Sequence, residues 1–104
     1  MGFRKKTSGL IVIVEGRVQR VLSDDLIGSR HQRFILRVST GETLLIAHNI
    51  DIAPRIEDLE VESEITVKGE YEWNELGGLI HWTHTSEDDQ HEPGWILYRG
   101  ITYD

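Results

Sequence analysis

The chain has 104 residues, a net charge of −7 and no cysteine, which points to one domain and excludes disulfides, thiolate metal sites and cysteine nucleophiles. The charge is uneven: residues 1–56 carry nine Lys/Arg against five Asp/Glu, and residues 57–104 carry two against thirteen. A polyanion would be repelled by the second half and weakly drawn to the first, although the same acidity also serves ordinary solubility.

No apolar run approaches the roughly 18 residues that a membrane span needs, so no membrane partner is expected. Residues 1–9 read as a disordered or added N-terminal lead, followed by a single domain at 10–104. Arg4, Lys5 and Lys6 before Leu10–Val14 look like the start of an export signal. Glu15 ends that apolar run early, where roughly 7–15 residues are required. The chain as it stands is expected in the cytoplasm, and in the periplasm if a longer natural N-terminus precedes it.

The first strand runs from Leu10 to Leu22, with Leu10, Val12, Val14 and Val18 facing inward. Gly16 interrupts it, as glycine does at a bulge or a barrel corner. The apolar phase then slips at Val21 and Leu22, which suits a bend. Ser23–Ser29 is a loop, with Asp24 and Asp25 as turn formers rather than a metal pair. The second strand is Arg30–Val38 and the third Thr43–His48, joined through Ser39–Glu42. With Thr40 and Gly41 as the central turn residues, Phe34 faces Ala47, Leu36 faces Leu45 and Val38 faces Thr43. Arg33 then lies beside His48, Ile35 beside Ile46 and His31 beside Ile50 on the opposite face.

Asn49–Leu59 links two hairpins. Pro54 suits the first position of a short helical turn over Pro54–Leu59, and Ile50, Ile52, Ile56 and Leu59 would plug one end of a barrel. The hairpin at Ile65–His84 organises the rest. Ile65, Val67, Gly69, Tyr71 and Trp73 alternate with Thr66, Lys68, Glu70 and Glu72, the period of a half-buried strand. Asn74–Gly78 supplies the turn, and Leu79–Thr85 the second arm. A polar loop follows over Ser86–Gly94. Trp95–Tyr98 and Ile101–Tyr103 then form a last hairpin around Arg99-Gly100. The fold class is therefore all-β: a small five-stranded OB-like barrel with a C-terminal β-hairpin and at most one short helix. A β-sandwich is the competing architecture.

The standard nucleophile, phosphate-loop, dinucleotide and zinc-helix motifs are absent from the sequence. His81 and His84 point to opposite faces of a strand, because their spacing is odd, so no metal site and no cofactor are assigned. The densest polar cluster is His48, Asn49, Asp51 and Arg55, set between apolar anchors. These side chains either tie down an irregular linker or form a recognition site. In the second case Arg33 and Arg55 would hold an anion, His48 and Asn49 would hydrogen-bond, and an aromatic face would stack. Tyr71, Trp73 and Trp82 could supply that face, although aromatics at strand spacing are usually core. Asp51 and Arg55 are close enough in sequence to form an ion pair.

The segments Gly28–Leu36, Leu44–Ile56 and Gly69–His84, together with the HEPGWI stretch, resemble a family of small bacterial proteins of unknown function, domain of unknown function 3465. The resemblance covers about residues 16–103 and implies no established activity, substrate or catalytic residue. The favoured reading is a non-enzymatic binding module for a small molecule or a protein. Its ligand residues are Arg33, His48, Asn49, Asp51, Arg55, His81, Trp82 and His84. Weak single-stranded nucleic-acid binding would be confined to residues 17–37. The alternative is a hydrolase, with or without metal assistance, using His31, His48, His81 and His84.

Overall fold

The computed structural model describes residues 9–86 and 91–104; residues 1–8 of the N-terminal lead expected at 1–9, and part of the loop before Pro93, lie outside them. Seven strands follow in chain order: β1 Leu10–Val21, β2 His31–Val38, β3 Thr43–Asn49, β4 Glu64–Glu72, β5 Leu79–His81, β6 Trp95–Tyr98 and β7 Ile101–Tyr103. Their order in the sheet is β1-β2-β3-β5-β4-β6-β7, and β1 pairs again with β4. That second pairing closes β1, β2, β3, β5 and β4 into a five-stranded barrel. The barrel is mixed, since β3 and β5 run parallel at Leu45–Leu79 and Ile46–Ile80. β6 pairs with β4 over Thr66–Lys68, below the rungs that β4 shares with β5, and β7 completes the C-terminal hairpin.

Closure turns on Gly16. It faces Val38 on β2 and Ile65 on β4, and Arg17 likewise faces Arg37 and Glu64. Residues before this corner pair only with β4, and residues after Arg17 only with β2. A Cβ on Gly16 would lie 2.3 Å from the Arg37 carbonyl oxygen, so the strands meet here only because the residue has no side chain. A register shift between Val18 and Arg20 adds a bulge, which accounts for the apolar phase slip at Val21.

The core follows the period-2 alternation. Val12, Val14 and Val18 of β1 meet Phe34, Leu36, Leu44 and Ile46, and Ile65, Val67, Tyr71 and Ile80 complete the lining. Leu10 was expected inside but is exposed, because it pairs with Tyr71 at the open end of β4.

The β2–β3 register differs from expectation by one residue. Phe34 pairs with Ile46 and Leu36 with Leu44, not with Ala47 and Leu45. Gly41 has φ +89° and donates its N–H to the Val38 carbonyl, while Val38 N–H bonds Glu42 O. That is a three-residue loop with a glycine bulge rather than a two-residue turn. Because side chains alternate, the shift moves every β3 side chain to the other face. Leu44, Ile46 and His48 point inward, and Arg33 lies beside Ala47 instead of His48.

The linker forms no helix over Pro54–Leu59. Its backbone groups are satisfied from the barrel instead. Gln32, fully buried, donates Nε2–H to the Ile56 carbonyl at 3.0 Å, and its Oε1 accepts the Ile56 N–H at 2.8 Å. The Tyr98 hydroxyl donates to Asp58 O and accepts from Glu60 N–H. Ile56 plugs the barrel and Leu59 packs against it, but Ile52 is half exposed, contrary to expectation. Replacing Gln32 with Ala orphans a buried N–H and a buried C=O at Ile56. Urea titration should show a loss of about 2–4 kcal/mol; an unchanged midpoint would mean that the linker does not depend on this clamp.

Candidate functional site

The residues of the expected site separate into two groups. His48 belongs to the interior. Its ring is fully buried; Nε2–H donates to the Pro54 carbonyl at 3.0 Å, which fixes the tautomer, and Nδ1 accepts from Thr83 Oγ1 at 2.7 Å. With both nitrogens occupied, His48 joins β3, the linker and the segment after β5. Burial, with smaller contributions from His84 and His31, lowers its pKa to about 4. Asn49 Oδ1 accepts the Asp51 N–H at 2.9 Å, a local turn bond.

The expected Asp51–Arg55 ion pair is absent. Asp51 instead takes the Arg30 N–H at 2.8 Å and the Arg30 Nε at 2.6 Å, and these bonds hold its carboxyl below the usual range. Arg55 reaches across to Asp24 with Nε and a terminal nitrogen, at 3.0 and 3.2 Å. Two arginines and two aspartates thus pair between separate loops, a swap that sequence separation did not reveal. Arg33 donates twice to the Ser23 carbonyl. Arg30, Arg33 and Arg55 are therefore tied to protein groups.

The second group lies where β5 ends. The second arm was expected to reach Thr85 but stops at His81, because Trp82 adopts φ +52°. Left-handed backbone costs a bulky residue roughly 1–2 kcal/mol. The turn breaks the strand alternation, so Thr83 and His84 are both buried while Trp82 is exposed to 38%. The Trp82 ring stacks on His91, with centroids 4.7 Å apart and planes 20° apart, and sits 4.8 Å from the His81 ring. His84 meets His91 edge-on at 5.0 Å. His84 donates Nδ1–H to Thr85 O, and burial, ahead of the neighbouring histidines, lowers its pKa.

On the outer face of β4, Glu70 lies directly opposite His81 and Glu72 two rungs along, opposite Leu79. His81 Nε2 is 3.4 Å from a Glu70 oxygen and 3.6 Å from a Glu72 oxygen. It is buried and makes no hydrogen bond. Strand alternation already put Glu70 and Glu72 on one face, but their meeting with His81 needed the β4–β5 register. His91 was not among the ligand residues expected from the sequence, since its place beside Trp82 depends on the chain folding back before Pro93. Open depressions of about 460 and 500 Å³ lie elsewhere, around Arg17, where Arg17 pairs with Glu64 and Arg37 with Glu62.

Nothing in this arrangement points to a hydrolase. His31 donates Nδ1–H to Ser29 O, His48 is sealed in the interior, and His81 faces two carboxylates on the outside.

The buried histidines set a pH dependence. The folded-state pKa of His48 lies below its unfolded value of 6.5, so the unfolded chain takes up the proton first. Stability is complete above about pH 6.5 and falls as pH drops towards 4, by up to about 3 kcal/mol from His48. His84 acts in the same direction. Denaturant midpoints at pH 7 and 4.5 should differ accordingly, with a smaller difference in His48→Gln; equal pH dependence in both proteins would contradict the assignment.

Neither a curated protein nor a solved structure matches the chain. One family does, described as "Protein of unknown function (DUF3465)" and matching residues 1–104; with its whole length covered, the chain belongs to that family.

Proposed function

We propose that this barrel is a non-enzymatic binding module whose ligand is received at the end of β5, on the surface made by His81, Trp82 and His84 with His91. The observation that carries the reading is Trp82. A bulky aromatic is held in a strained backbone conformation, out of the core and between two imidazole rings. Backbone strain in a non-glycine residue clusters at functional sites, and an exposed aromatic among polar groups is a common anchor. The His48–Arg55 linker then serves as the fixed frame behind the surface, with Arg33, Asn49, Asp51 and Arg55 ordering the neighbouring loops.

The ligand class follows from the charge. Glu70 and Glu72 lie beside the His81 ring, which favours a neutral or cationic small molecule or protein segment over a polyanion. An OB-type barrel, the expectation from the sequence, often binds oligonucleotides, but fold does not determine function. Arg17, Arg30, Arg37 and Arg55 are each paired with a carboxylate, which weakens the basic surface of residues 17–37.

The test is a titration of the isotope-labelled chain with neutral and cationic aromatic fragments and, separately, an eight-nucleotide oligothymidylate at about 0.15 M salt. Fragment shifts should centre on residues 81–84 and 91 and disappear in Trp82→Ala, with oligonucleotide affinity weaker than micromolar. Shifts centred on the Arg17 depressions, or sub-micromolar oligonucleotide binding, would overturn the proposal.

A further inference from the structure

Glu70, Glu72 and His81 form a group of which the ligand reading above takes only His81 as a contact, with the two carboxylates as nearby charge. Each offers one atom, and the three atoms lie within 4.8 Å of one another. Their support is rigid. Glu70 and Glu72 stand on one face of the central strand β4, which is paired on both edges, and His81 is locked opposite by the β4–β5 ladder. All three side chains are partly buried.

His81 Nε2 carries the argument. It is shut off from solvent, aims at both carboxylates and forms no hydrogen bond with either. Its two carboxylate contacts are ion pairs only when the imidazole is protonated; a neutral imidazole leaves this buried nitrogen without a partner, which is unfavourable. A tetrahedral cation with bonds of about 2.0–2.2 Å separates its ligand atoms by roughly 3.3–3.6 Å. The two nitrogen–oxygen distances, 3.4 and 3.6 Å, fall in that range, and the carboxylate oxygens, within 4.8 Å of each other, reach it by side-chain rotation. Two carboxylates and a neutral imidazole would also balance the charge of a dication. Lys68, the preceding outward residue of β4, leans towards Glu92 at 3.8 Å.

We propose that Glu70, Glu72 and His81 bind a divalent first-row transition metal of the zinc class, through one imidazole nitrogen and two carboxylate oxygens. The mixed donor set ranks zinc above manganese and disfavours magnesium, which prefers oxygen ligands in octahedral array. Three protein ligands leave a tetrahedral ion one open position. The inference is independent of the binding-module reading, because it needs neither Trp82 nor an organic ligand.

Calorimetry on the untagged chain with zinc, manganese and magnesium chlorides tests it. The expected result is one zinc per chain, weaker manganese and no magnesium binding, with zinc raising the melting temperature by mass action. Glu70→Gln, Glu72→Gln and His81→Gln should each weaken zinc at least about tenfold. In the unsubstituted chain, zinc should move the His81 ring resonances, a readout that holds even if a variant fails to fold. The proposal is overturned by no zinc binding at about 100 µM or by magnesium binding as tight as zinc. It is equally overturned if folded variants keep full affinity, or if zinc moves the His84 or His91 ring while His81 stays in place.

Discussion

The fold depends on one strand serving two neighbours at a single point. β1 is the longest strand, and it leaves β4 for β2 across Gly16 and Arg17. If β1 ran along only one of these neighbours the sheet would stay open; the corner lets it pair with both and turns that sheet into a barrel without free edges within the ring. Closure sets the positions of all the others. β4 becomes central, paired with β1 on one edge and with β5 and β6 in succession on the other, and its outward residues gain fixed neighbours on both sides.

From that closure the inner and outer polar groups acquire different roles. Inside, Gln32 and His48 take up backbone groups of a linker that has no helix or ladder of its own. A buried polar group with all its bonds made is stabilising and specific, whereas a partly satisfied one is costly. Outside, at the end of β5, Trp82 sits in a strained conformation and His81 Nε2 makes no hydrogen bond. The interior polar groups hold the barrel together, whereas the strained Trp82 and the His81 nitrogen are neighbours on the outer surface. That contrast is why the end of β5, rather than the linker, is the surface on which binding is proposed.

Much of the fold was legible because it rests on local pattern. The alternation from Ile65 to Tyr71 fixed the inward face of β4, Gly16 marked the corner, and Arg99-Gly100 marked the last turn. The failures were non-local or depended on turn length. Ser39–Glu42 contains turn residues that fit either a two- or a three-residue loop, and the difference moved His48 from an outer face beside Arg33 to the interior. Asp51 and Arg55 were paired with each other because they are close in sequence, but each found a partner on another loop, 21 and 31 residues away. Of the residues at the proposed surface, His81, Trp82 and His84 were expected from their segment alone. Glu70, Glu72 and His91 were not, because only the cross-strand register and the return of the chain towards Trp82 bring them there.

The most direct measurement is the unfolding free energy of Gly16→Ala, combined with amide hydrogen exchange along β1. If the barrel closes through this residue, the methyl group has no room against the Arg37 carbonyl. Stability should then fall by about 1–3 kcal/mol, and protection should drop together at the rungs facing Val38 and Ile65. A variant with unchanged stability and full protection on both edges of β1 would show that closure does not depend on the corner.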